Sequence, residues 1–481
     1  MQQLSGLDAL FLTLESDAAP MHVGGVSVLD LAHAPAGFAF DVVRARIGER
    51  LRQLPHLRRR LVQMPLNLVP PFWIEDPGFR LDAHVRRLRL PPPGRDAQLA
   101  ERVAALIARP LPRNRPLWAC YYIEGLSRRR AALVTIIHHA CVDGVSGAEL
   151  LGTLLDLEPL AVQRPVAVER QPDQLPTDWA RGWLALRQTL GRLRRGAGLL
   201  AETAPLAVEL GREWLGLAAS TDRSAAPSPA MPRLRAAPRT RFNCTIGAQR
   251  SYACGRLSLA RIKQVKTAFG VSVNDVVLAV CAGALREELG TAGELPDESL
   301  LAAVPMSVRA AAERGAGGNR VTMLRVCLHT QIADPRARIA AIAGETARIK
   351  QRHRAVPARL LMDWMEVPAP ALLARAARLY ENFGVQDLIR PPFNLVISNV
   401  PGPSQTLYLA GAPLLANYPI SIPYHGLALN VTVLSYRDWL DVGVTAWRQA
   451  LPRPQRFLQR MAAALEQLAA AADLTPARKA T

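Results

Sequence analysis

The residues best equipped for chemistry stand together: His138 and His139, and four positions after the second histidine Asp143, followed by Gly144. A neutral imidazole near pH 7 suits a general base acting on a hydroxyl. Side chains alternate between the faces of a strand, so if a strand extends through both histidines, one of the two rings can face a given substrate. Asp143 is close enough to hold the loop or the imidazole in place, and Gly144 lets backbone approach closely. The residues alone leave other readings open. Two core histidines beside a structural acid would give the same string. A metal site is disfavoured, because adjacent strand histidines diverge and no further His/Cys cluster lies nearby to complete a coordination shell. Cys141 beside His139 is too near in sequence for an easy nucleophile and base geometry, and reads as a small apolar filler.

The elements that must position this group follow from the flanking pattern. Residues 131–137 are aliphatic and β-branched, as in a buried strand, and residues 117–123 pair with them as a hairpin across Arg128-Arg129-Arg130. Gly144 and Gly147 mark a loop, and Leu150, Leu151, Leu154 and Leu155 then fall at helical spacing. The unit is strand, His-bearing loop, helix. Upstream, residues 4–14 read as a turn and an edge element before a strand through Val26 and Val28. Phe40, Val43, Ile47, Leu51 and Leu54 recur at helical spacing, as do Leu99, Val103, Leu106 and Ile107. The apolar stretch 66–74, broken by Pro70 and Pro71, reads as loop or channel lining.

With 481 residues the chain suggests two domains of roughly 200 residues each. The division falls at 1–160, a basic Pro-rich connector at 161–241, and 242–481. Six cysteines without C-x-x-C spacing look like reduced cytosolic thiols, neither a zinc site nor a disulfide framework. The first residues lack the layout of a signal peptide, and no uncharged apolar run approaches the ~20 residues of a membrane span. A cytoplasmic protein is expected. Its net charge of +19 fits nucleic acid, an anionic lipid surface or a phosphate-bearing ligand, or a compositional bias toward Arg. Only 5% of residues are aromatic and no recognition motif is present, so no nucleic-acid partner is expected. In the connector, Trp183, Leu186, Leu190, Leu193, Ala197 and Leu200 follow helical spacing among five arginines, with no carboxylate between Asp178 and Glu202. This basic amphipathic helix either packs across the domains or lies in a membrane or lipid-droplet surface.

In the second half, Arg256-Leu257-Ser258 opens one helix and residues 271–277 another, where Ser272 and Asp275 stand at capping-box spacing. That cap explains Asp275 without catalysis. Residues 302–309 form a strand leading to Arg309, which pairs with Asp143 or a phosphate, or is a plain surface arginine. Residues 321–330 form a further strand, and 335–352 a helix. The strand at 394–400, carrying Asn399, ends in a Pro401-Gly402-Pro403 turn, and a closing hairpin and a final helix follow.

The string His138-His139-x-x-x-Asp143-Gly144 resembles the signature of the CoA-dependent acyltransferase superfamily. The opening at residues 4–25, Pro116-Leu117-Trp118, Asn274-Asp275, the strand to Arg309 and Asn399-Val400-Pro401-Gly402-Pro403 narrow the resemblance to bacterial wax ester synthase/diacylglycerol acyltransferases. It covers nearly the whole chain outside the connector. The resemblance implies an α/β (α+β) fold of two chloramphenicol-acetyltransferase-like domains with mixed sheets meeting at a substrate tunnel. It implies transfer of a long-chain acyl group from acyl-CoA, as co-substrate and with no other cofactor or metal, to a fatty alcohol or diacylglycerol. His139 is then the base, His138 orients, Asp143 shapes the loop, and Asn274 or an amide near Gly144 holds the oxyanion. Asn399 lies across the tunnel, and tunnel-mouth arginines attract the CoA phosphates. Attachment to the inner membrane face or to lipid inclusions accompanies this reading. A condensation-type enzyme of the same superfamily, or a noncatalytic lipid binder of the same fold, are the rivals.

Overall fold

The computed structural model describes residues 2–67, 69–141, 154–159, 177–214, 236–307, 321–352 and 370–475. In the first half, strands β1 (Gln2–Gln3), β2 (His22–Asp30), β3 (Arg59–Val62), β4 (Phe72–Glu75), β5 (Val85–Arg89), β6 (Trp118–Leu126) and β7 (Arg130–His138) accompany helices α1 (Gly6–Leu14), α2 (Phe40–Arg50) and α3 (Asp96–Ile107). The connector carries α4 (Asp178–Trp214). The second half contains β8 (Arg250–Ser258), α5 (Leu259–Phe269), α6 (Val273–Gly290), β9 (Leu301–Ser307), β10 (Val321–Cys327), α7 (Pro335–Arg352) and α8 (Pro370–Asn382). It continues with β11 (Leu395–Val400), β12 (Tyr408–Leu409), β13 (Ala412–Ile420), β14 (Leu429–Tyr436), β15 (Trp439–Trp447) and α9 (Pro454–Ala471).

Two six-stranded mixed sheets result, in the orders β12-β13-β2-β7-β6-β5 and β10-β9-β11-β14-β15-β8, with a small sheet β1-β4-β3 beside them. The aliphatic run of β7 is explained by burial on both faces. Ala131, Leu133 and Ile137 pack with Val43 and Ile47 of α2 on one side, while Ala132, Val134 and Ile136 pack with Leu99, Val103 and Ile107 of α3 on the other. The second sheet is covered by α6, whose buried Val276 to Leu285 stretch forms the centre of the second core.

The halves exchange chain. β12 and β13, although they follow residue 242, belong to the first sheet, where β13 pairs antiparallel with β2. Sheet membership therefore departs from the 1–160 and 242–481 division at residues 408–420. β13 also crosses β15 of the second sheet. The Asn417 amide donates to the buried Asp441 carboxylate at 2.6 Å, and the Tyr252 hydroxyl donates to the Pro419 carbonyl at 3.1 Å. At Gly443 a Cβ would stand 1.9 Å from the Pro419 carbonyl oxygen. Gly443→Ala is therefore expected to force the sheets apart and destabilise the protein by about 3 kcal/mol, read as a lowered Tm.

Three local expectations are corrected. Within residues 4–14, Gly6–Leu14 form a helix, not a turn and edge element, and the Ser5 hydroxyl caps it by accepting the Asp8 amide at 3.1 Å. Phe72–Glu75 is a strand of the small sheet, since Pro70 and Pro71 precede it without interrupting it. Arg256, Leu257 and Ser258 are the last residues of β8, and α5 begins only at Leu259, with Ser258 as its cap.

Candidate active site

β7 ends between the two histidines. His138 is the last strand residue, paired with His22 of β2, and its amide donates to the Leu117 carbonyl at 2.9 Å. His139 opens a short 3-10 turn, its amide donating to the Met21 carbonyl at 2.8 Å. Both backbones are thus clamped by the flanking strands. Trp118 fixes one of those clamps: its indole donates to the Leu57 carbonyl at 2.6 Å, and its ring stacks on His84 at 4.5 Å. The Pro-Leu-Trp tripeptide therefore holds the histidine strand in register.

His138 is fully buried. Its Nδ1 accepts the Ala140 amide at 3.1 Å, which places the ring proton on Nε2, facing Glu15 Oε1 at 3.4 Å. The other oxygen of Glu15 accepts from Arg113 at 2.8 Å, and Arg113 also donates to the Leu12 carbonyl at the end of α1. Burial alone would raise the Glu15 carboxyl, but His138 and Arg113 outweigh it and hold it down at about 2. His22 is buried with neither ring nitrogen in a well-aligned hydrogen bond among the described residues, and burial pushes it down to about 4. His138 is thus a positioned ring, braced by an anion and locked to the turn that carries His139.

His139 is only partly covered. Its ring stacks on Phe11 of α1, centroids 3.8 Å apart. Nδ1 is buried without a well-aligned partner. Burial pushes the imidazole down to about 4, and His138 adds to this while the ring's own main-chain carbonyl opposes it. The ring is neutral at neutral pH, the form a general base needs. Cys141 is buried and its thiol is pushed far up by desolvation, so no thiolate forms there.

Asp143, Gly144 and Arg309 lie outside the described residues. Asn274 stands in the first turn of α6 and Asn399 on β11, both partly exposed. Among the described residues, no hydrogen bond or ring contact joins either of them to His139. Asp275 is withdrawn from the candidate site: its Oδ2 accepts the Ser272 amide at 2.9 Å and the Ser272 hydroxyl at 2.6 Å, and its Oδ1 accepts the Thr346 hydroxyl at 2.7 Å. One oxygen is committed to the helix start and the other ties it to α7. The turn after Asn399 is fixed by Gly402, whose amide donates to the Ser435 hydroxyl at 2.9 Å and where a Cβ would meet the Ser435 carbonyl oxygen at 2.1 Å. A surface cleft lined by Leu90, Pro91 and Ser127 sits at the opposite end of β6 and β7 from the histidines.

Sequence reasoning gave no role to Phe11, Glu15, His22 and Arg113. Glu15 and His22 stand in the opening stretch, but nothing in their spacing shows that α1 folds back over the end of β7.

A model of the wax ester synthase/diacylglycerol acyltransferase catalytic domain matches residues 4–277, and one of the C-terminal domain of the same family matches residues 317–469. A Mycobacterium tuberculosis protein named as a diacylglycerol O-acyltransferase is 37% identical over 479 residues, covering 98% of this chain and all of that protein. A second from the same organism is 34% identical over 477 residues, covering 99% of this chain and 92% of the other. Among solved structures, the wax ester synthase/diacylglycerol acyltransferase of Marinobacter aquaeolei VT8 superposes with a TM-score of 0.69 at 31% identity, over 98% of this chain and 100% of that one. The first condensation domain of the CDA synthetase shares the fold, with a TM-score of 0.51 at 17% identity over 97% of this chain and 95% of that one. The chain belongs to the wax ester synthase/diacylglycerol acyltransferase family and is an acyltransferase.

Proposed function

We propose that the protein transfers a long-chain acyl group from acyl-CoA to the hydroxyl of diacylglycerol or a fatty alcohol, forming triacylglycerol or wax ester. The observation that carries this is the neutral, partly uncovered imidazole of His139 with its Nδ1 buried; Nε2 is taken as the working edge. Nε2 takes the acceptor's hydroxyl proton as the oxygen attacks the thioester carbonyl. The C–S bond then breaks, and the same proton passes to the departing thiolate, so no acyl-enzyme is needed. His138, braced by Glu15 and Arg113, keeps the turn bearing His139 in place. The oxyanion is held by Asn274 or by an amide near Gly144, and the lipid chains run in a tunnel between the lobes toward Asn399. Asp143 shapes the loop, and arginines at the tunnel mouth, Arg309 among the candidates, take the CoA phosphates.

Peripheral attachment to a lipid surface goes with this reading. Among the described residues no single helix is long and apolar enough to cross a membrane, whereas α4 exposes Trp179, Trp183, Leu186 and Leu190 along one stripe.

Labelled acyl-CoA supplied with fatty alcohol, diacylglycerol or an amine acceptor tests the chemistry. Ester products with release of one free thiol per ester are expected. Product from the amine alone indicates condensation-type chemistry, and binding without turnover indicates a lipid carrier.

A further inference from the structure

The exposed stripe of α4 is one part of a broader apolar surface. On α8, Leu372, Leu379 and Phe383, the last just past the helix end, recur at helical spacing and are all exposed, Phe383 at 71%. Between the two helices lies Leu66, 82% exposed and held with φ +57°, a left-handed backbone that a leucine side chain disfavours. Both α4 and α8 pack against the turn at Pro65–Asn67 that carries Leu66. The inner side of α4 is fixed separately, with Ala185 buried against Met64, Val69 and Phe72 and Gln188 hydrogen-bonded to Gln3. Three segments distant in sequence, two of them touching the turn that carries the third, thus hold exposed apolar side chains near one another, the kind of clustering that marks an interaction surface.

The charges around it share one sign. Arg187 and Arg194 are exposed on α4, and Arg375 and Arg378 on α8. No carboxylate occurs between Asp178 and Glu202, nor on α8 before Glu381. Tryptophans at an apolar boundary rimmed by arginines match the chemistry of an anionic phospholipid interface, where rings settle at headgroup depth and cations meet phosphates. α8 also packs against α1, which carries Phe11 stacked on His139.

We propose that α4, the Leu66 turn and α8 form one docking face for an anionic phospholipid bilayer, set one helix away from the acyl-transfer site so that a membrane-dissolved acceptor reaches His139 without crossing water. This rests on the acyltransferase reading for its purpose and extends the attachment through α4 to a second helix.

Flotation of the full chain with phosphatidylcholine vesicles, with and without one-fifth phosphatidylglycerol, tests it. The wild type is expected to float with the anionic vesicles and to be released by salt. Leu372→Glu/Leu379→Glu/Phe383→Glu on α8 and Trp183→Glu/Leu190→Glu on α4 are each expected to lower the bound fraction roughly tenfold or more, with unchanged circular dichroism melts. Arg375→Glu/Arg378→Glu, which leaves every apolar residue in place, is expected to lose the preference for anionic vesicles. Undiminished flotation of either apolar variant overturns the shared face, and if the α4 variant is the unaffected one, attachment through α4 falls with it. Equal binding to neutral vesicles overturns the choice of an anionic bilayer. A wild-type dimer in gel filtration that the α8 variant converts to monomer overturns the proposal in favour of a second copy of the chain. His139→Ala is expected to float as the wild type does, so failure of the chemistry and failure of docking appear in separate measurements.

Discussion

His139→Ala is expected to lower kcat/KM for acyl transfer by roughly 10³-fold, the range that a positioned general base contributes. The fold should survive, because the ring's main packing partner is Phe11, and one lost ring stack costs on the order of 1 kcal/mol. His138→Ala differs in kind. It leaves the Glu15 carboxylate buried without the ring facing it, so both activity and Tm are expected to fall. The pH profile gives an independent check on His139. Burial holds its imidazole at about 4 rather than the ordinary 6.5, so the free enzyme carries an active base down to about pH 4. The acid limb of kcat/KM should therefore lie near 4. An acid limb at 6.5, or full activity in His139→Ala, removes this ring from the mechanism.

The elements flanking the two histidines could be read before the fold was known, because local pattern dictates them. The aliphatic stretch before His138 is buried on both faces, so its composition announces a central strand. The Ser272 and Asp275 spacing announces a capping box, and the same logic that identifies the cap removes Asp275 from the chemistry. What could not be read depends on contacts between distant segments. β13 joins the first sheet by pairing with β2, nearly 400 residues away in the chain, and nothing in its own alternation names that partner. The aromatic stack on His139 and the brace on His138 both come from α1, mistaken for a turn and edge element because its leucines suggest burial without specifying a period. Arg113 reaches Glu15 across 98 residues from a Pro-rich stretch that looks like simple connection.

That brace makes Glu15 the second position where a large effect is expected. Glu15→Ala should lower kcat by roughly 10²-fold with little change in KM, since the residue acts through His138 and the turn rather than on a substrate. It should also cost about 2 kcal/mol of stability. Its side chain is 6% exposed, whereas Arg113 is half-exposed and recovers water when freed, so most of the loss falls on His138. Glu15→Gln keeps an oxygen for the His138 Nε2 proton and should restore most of kcat, which a merely structural defect would not allow. The pH dependence of stability separates the groups by sign and window. His22 and His139 are held neutral at about 4, so the unfolded chain takes up protons that the folded rings refuse, and stability falls as pH drops from 6.5 toward 4. Glu15 is held down at about 2 against an ordinary 4.5, so its contribution is complete above 4.5 and is lost as pH falls toward 2. Wild type minus Glu15→Gln, measured by urea unfolding at successive pH values, should therefore be constant above about 4.5 and shrink below it. A difference that instead changes between pH 6.5 and 4.5 would mean that Glu15 acts by setting the charge of a neighbouring histidine, and its role as a fixed anionic brace would be wrong.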